Sequence, residues 1–72
     1  MKDSDILTAS QLANASNVTY ADMLAILKFG DFPSFRKIGG YITVTKGDML
    51  EYLKTHSKVK VDFSKIELIK SA

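Results

Sequence analysis

Seventy-two residues, 46% hydrophobic and 25% charged, with one proline and no cysteine, describe one small domain with little room for a deep enzyme pocket. The lack of cysteine excludes a disulfide framework, a thiolate zinc site and a cysteine nucleophile together. The formal net charge is +2, but residues 1–27 carry one Lys and three Asp, whereas residues 28–72 carry nine Lys or Arg against five acids. The C-terminal two-thirds is therefore the basic part, compatible with a surface that meets a polyanion.

No window approaches the ~18 consecutive apolar residues that span a bilayer. Met1-Lys2-Asp3-Ser4-Asp5 lacks the charged-then-apolar order of a signal peptide, so the expected compartment is the cytoplasm. There is no internal repeat and no low-complexity tract, and the turn residues divide the chain into short elements.

Thr8-Ala9-Ser10-Gln11 has the form of a capping box, and a first helix is expected from about Ala9 to Ala15, with Ala9, Leu12 and Ala13 on a small-residue packing face. Ser16-Asn17 breaks that helix, and Thr19-Tyr20-Ala21-Asp22 begins a second, expected from Tyr20 to Phe29. Its apolar residues Tyr20, Met23, Leu24 and Leu27 fall at i, i+3, i+4 and i+7, which makes one buried stripe. Gly30 is expected to close it as a left-handed cap, with Pro33 preventing continuation.

After Pro33 the period changes. Phe35, Ile38, Tyr41, Ile42 and Val44 are strand formers split by Gly39-Gly40, which predicts a hairpin with strands near 35–38 and 41–44. Thr45-Lys46-Gly47-Asp48 starts a third helix, expected from Lys46 to about His56, with Met49, Leu50 and Leu53 inward. Val59, Val61 and Phe63 alternate with Lys60 and Asp62 as in a strand, and Ser64-Lys65-Ile66-Glu67 offers a cap for a helical turn. The expected organisation is a domain over 1–56 and a tail over 57–72.

Two short helices joined by a tight turn, then a hairpin, then a packing helix, is the order of a small winged helix-turn-helix: mainly α with a β-hairpin wing. In that arrangement the second helix enters a DNA major groove and the hairpin lays basic residues along the backbone. The pattern alone equally suits a three-helix packing module with an incidental hairpin. No triad, metal set or nucleotide loop is legible, so no enzyme, cofactor or small-molecule substrate is expected. His56 reads as a favourable residue at a helix C-terminus, Gly39-Gly40 as a turn rather than a phosphate cradle, and Phe29, Phe32 and Phe35 as core around the Gly-Pro bend.

The ordered set from Ile6-Leu7-Thr8 to Leu53 resembles the excisionase and AlpA-type proteins, small relatives of MerR-type winged helices found in phages and mobile elements. The resemblance rests on the Leu-Thr start with its Gln-Leu-Ala helix, Asn17-Val18-Thr19 at the turn, and Ile26 through Pro33 with its Gly and Pro. Lys37-Ile38-Gly39-Gly40 at the wing and Thr45 to Leu53 in the terminal helix complete it. It implies a site-specific binder of double-stranded DNA in the bacterial cytoplasm or a phage-infected host, bending DNA, directing a recombinase toward excision or controlling promoters.

Carried across residue by residue, the resemblance puts Thr19, Tyr20, Ala21, Ala25 and Lys28 on the groove side of the second helix, and Arg36, Lys37, Tyr41 and Thr43 in the wing. The family commonly has Arg where Tyr20, Ala25 and Tyr41 stand here. Lys28, Arg36, Lys37 and Lys46 are left as candidate phosphate contacts, so binding by a monomer is expected to be weak and strengthened by neighbouring copies. Val59, Val61 and Phe63 form a candidate partner face for a second copy or a recombinase. Two rivals stay open: a protein-interaction module, such as a phage inhibitor or assembly adaptor, in which this scaffold has lost DNA binding, and a small-terminase-type winged domain.

Overall fold

The computed structural model describes residues 2–66. In chain order the elements are β1 (Ile6–Thr8), α1 (Ala9–Asn14), α2 (Tyr20–Phe29), β2 (Arg36–Ile38), β3 (Tyr41–Thr45), α3 (Lys46–Thr55) and a 3₁₀ turn (Phe63–Lys65). Each α-helix starts on a threonine. Thr8 and Gln11 complete a reciprocal capping box, with the Gln11 amide donating to Thr8 Oγ1 at 3.1 Å and the Thr8 amide donating to Gln11 Oε1 at 2.9 Å. Thr19 Oγ1 accepts from the Asp22 amide and Thr45 Oγ1 from the Asp48 amide. The first two free amides of α3, Lys46 and Gly47, donate to the carbonyls of Asp5 and Asp3, which ties the N-terminal segment to this helix start.

The hairpin forms as expected. Gly39 and Gly40 take φ values of 55° and 86°, the pair of positive angles a two-residue mirror-image turn needs. β3 also pairs on its other edge with β1, so the antiparallel sheet has the order β1-β3-β2, with Leu7 opposite Val44 and Thr8 opposite Thr43. β1 has no counterpart in the sequence reading, because three residues are too few to display an alternation and the partner strand lies far along the chain.

The core joins every one of these elements except β2: Leu7, Leu12, Met23, Leu27, Val44 and Met49 are fully buried, with Phe32 and Ile66 beside them. The expected stripe of α2 holds for Met23 and Leu27, whereas Tyr20 is 54% exposed. Gly30 is not a left-handed cap: its φ is −85°, and Asp31 carries the positive φ of 55° instead.

The tail strand does not form. Among the described residues of the tail only Val61 makes a bridge, to Ser16, and Val61 and Phe63 pack on the chain's own core, which Ile66 also enters. Residues on both sides of position 56 thus share this core, while 67–72 lie outside the described residues. Asp62 caps the final turn through hydrogen bonds from the Ser64 hydroxyl and amide, and these bonds hold its carboxyl below the ordinary value. A depressed carboxyl contributes stability that is present above its unfolded-state pKa and lost as pH falls through the folded one. Acidification below the ordinary carboxylate range is therefore expected to release the Ser64 amide, read as a lower protection factor and a shifted resonance by NMR. Among the described residues, no helix is long and apolar enough to cross a membrane.

Candidate nucleic-acid interface

With Met23 and Leu27 inward, the helical period turns Ala21, Asp22, Ala25, Lys28 and Phe29 outward, and all five are exposed. This face carries one acid and one base. Asp22 stands in the first turn and Lys28 in the last, each at the end where its charge opposes the helix dipole. Thr19 is exposed, but its hydroxyl is engaged by the Asp22 amide at 3.2 Å. Tyr20 stands at the amino end with its ring accessible.

On the hairpin, Arg36, Lys37 and Ile38 are exposed along the whole of β2, and Tyr41 is 64% exposed across from Ile38. Arg36 Nη1 donates to the Phe35 carbonyl at 2.7 Å, which orients the guanidinium without burying it. Arg36, Lys37, Tyr41 and the outward side of α2 are thus accessible.

Two expected contacts are not available. Thr43 is 4% exposed, and its hydroxyl donates to the Arg36 carbonyl at 3.2 Å. The cause is the sheet order: β3 is the middle strand, and Thr43 lies between Arg36 on one side and Thr8 on the other. The Lys46 side chain is only 20% exposed, with its ammonium 3.9 Å from Asp3 Oδ1 and 5.5 Å from the centre of the Phe63 ring. It serves the junction of N-terminus, α3 and tail rather than an open surface.

The phenylalanines at the Gly-Pro bend divide. Phe32 is buried and stacks on Tyr52, whose ring in turn stacks on His56, and Phe35 is half-buried. Phe29 is 82% exposed, against the expectation that it fills the core. Its spacing signals this, since it lies four residues after Ala25 and seven after Asp22 on the outward face. Ile26, Phe29, Tyr52 and His56 line a shallow groove between α2 and α3. His56 itself is the C-cap of α3, with Nδ1 3.0 Å from the Tyr52 carbonyl oxygen.

The segment after α3 supplies cations that the expected site left out. Lys58 and Lys60 are exposed, while Val59 and Val61 between and after them are half-buried. Their alternation is legible in the sequence, but its anchoring on Asn17 is not. Among the described residues, no three His, Cys, Asp or Glu side chains come together in a way that would hold a metal ion. No protein-family model, curated protein or solved structure matches this chain.

Proposed function

We propose that this chain is a winged helix-turn-helix protein that binds double-stranded DNA, with α2 in the major groove and the β2–β3 hairpin along the backbone. In this reading it works without catalysis in the cytoplasm, as an excisionase-like architectural factor or a transcriptional regulator of a phage or mobile element. Neighbouring copies or a recombinase strengthen it on DNA. The observation that carries the reading is the exposed Arg36–Lys37 pair on a hairpin packed beside a helix whose outward side is open. The small Ala21 and Ala25 side chains suit close approach to base edges, where a methyl group meets a thymine methyl.

Binding to duplex DNA across a salt series tests the proposal. The Arg36→Ala/Lys37→Ala variant is expected to lower the slope of log K against log salt by about 1.8, near 0.9 for each phosphate no longer neutralised. Its melting temperature should stay close to that of the parent, because both side chains are exposed. No binding of the parent protein at low salt and micromolar concentration would overturn the reading.

Phe29 favours a second reading, a protein-interaction module on the same scaffold, because an aromatic ring 82% exposed one turn from Ala25 is a protein-binding feature more than a phosphate-binding one. Under that reading Phe29→Ala abolishes partner capture, whereas the Arg36–Lys37 double variant leaves it intact.

A further inference from the structure

Asn17, in the turn between α1 and α2, holds the chain after α3 in place. Its Nδ2 donates to the Lys58 carbonyl at 3.0 Å, its Oδ1 accepts from the Lys60 amide at 3.0 Å, and its own amide donates to the Lys60 carbonyl at 3.2 Å. The Asp62 amide donates to the Ala15 carbonyl at 2.7 Å, extending this ladder past the Ser16–Val61 bridge. A side-chain amide here does the work of a peptide group, and the segment 58–62 lies beside the turn as a short pseudo-strand.

Along this segment Val59 and Val61 are half-buried against the domain, while Lys58, in the turn that follows α3, and Lys60 are exposed. The main chain of both lysines is hydrogen-bonded to Asn17, two residues before the Thr19 cap of α2. Lys28 stands at the opposite end of the same helix, which at ten residues is about 15 Å long. A major groove is about 12 Å wide. Cations at the two ends of a helix that enters the groove obliquely are placed to reach phosphates of opposite strands.

We propose that Lys58 and Lys60 form a second phosphate-binding arm, held by Asn17 at the amino end of α2 and gripping the DNA backbone opposite to the Lys28 end. The proposal rests on the DNA-binding reading above. It adds cations where the face of α2 itself has few. Because the backbone of the arm is anchored through these hydrogen bonds to Ala15 and Asn17, little main-chain freedom is lost on binding.

The test uses the full chain on duplex DNA over a salt series, with the variants Lys58→Ala/Lys60→Ala, Lys58→Arg/Lys60→Arg, Arg36→Ala/Lys37→Ala and Lys54→Ala. Lys54 is a control cation, paired with Glu51 at 3.0 Å on the exposed side of α3. The alanine arm variant is expected to weaken binding on the order of tenfold and to lower the salt slope by about 1.8, with the arginine variant restoring both and Lys54→Ala changing neither. If the parent binds and the Arg36–Lys37 variant loses slope while the alanine arm variant does not, the arm is overturned and the DNA reading stands. If Lys54→Ala costs as much per charge as the arm variant, the effect is general charge and the arm is again overturned. A parent protein that binds no duplex at low salt overturns both.

Discussion

Gly30→Ala is expected to destabilise the protein by about 1–3 kcal/mol, although nothing in the backbone angle at this position requires glycine. Its φ of −85° is open to any residue. The obstacle is space: an alanine Cβ would fall 2.6 Å from the Ile26 carbonyl oxygen and 2.9 Å from Phe32 Cδ1, with Phe32 Cε1 nearer still. The Phe32 ring cannot retreat easily, because it is buried and stacked on Tyr52 with centroids 5.4 Å apart. Asp31, one residue on, has the converse problem, since its φ of 55° places a non-glycine residue in the left-handed region. Asp31→Gly is therefore expected to leave stability unchanged or raise it by up to about 1 kcal/mol, once the greater freedom of glycine in the unfolded chain is set against the relieved strain.

Thermal melting by circular dichroism separates these expectations, because 1 kcal/mol moves the midpoint of a domain this small by about 4–8 °C. A left-handed cap at Gly30 predicts the opposite sign at Asp31. A lowered midpoint for Asp31→Gly together with an unchanged one for Gly30→Ala would refute the account.

The parts of this fold that were legible in the sequence are those written in adjacent residues. The capping threonines Thr8, Thr19 and Thr45 mark the three helix starts, and α2 begins and ends at the residues the apolar period predicts. Gly39-Gly40 specifies its turn because both positions need positive φ. What was not legible depends on partners distant along the chain. Thr43 reads as a wing residue until β1 pairs with the far edge of β3 and makes it a middle-strand position. Lys46 reads as a free cation until Asp3 and Phe63 come to it from the two ends of the chain. The tail reads as a free strand until Asn17 captures its backbone and the core takes in Val61, Phe63 and Ile66. The expected contacts that remain accessible, Thr19, Tyr20, Ala21, Ala25, Lys28, Arg36, Lys37 and Tyr41, depend on no partner distant along the chain.

Asp48→Ala is expected to cost about 2–3 kcal/mol, more than the loss of a helix cap, because its carboxylate closes a ring of hydrogen bonds outside its own helix. In a reciprocal capping box, Asp48 would reach back to the Thr45 amide. Instead Asp48 Oδ2 accepts from the Ser34 amide at 2.7 Å and from the Ser34 hydroxyl, and Ser34 Oγ takes the place of the carboxylate by accepting from the Thr45 amide at 2.9 Å. Thr45 Oγ1 completes the ring by accepting from the Asp48 amide at 3.3 Å. Ser34 follows Pro33 in the loop between α2 and β2, so this ring fixes the root of the hairpin to the start of α3. All three residues are half-buried, and removing the carboxylate strands the Ser34 donors where water replaces it only in part. Asp48→Asn keeps an acceptor without the charge and is expected to cost about half as much. The pair Asp48→Ala and Ser34→Ala should be strongly non-additive in a double-mutant cycle, with a coupling of about 1–3 kcal/mol, whereas independent contributions would give none. If the proposed DNA binding holds, weakening the root of the hairpin that carries Arg36 and Lys37 is also expected to lower DNA affinity under conditions where the variant stays folded. On that reading, a destabilised Asp48→Ala protein that binds DNA as tightly as its parent would show that the ring supports the fold without positioning the hairpin.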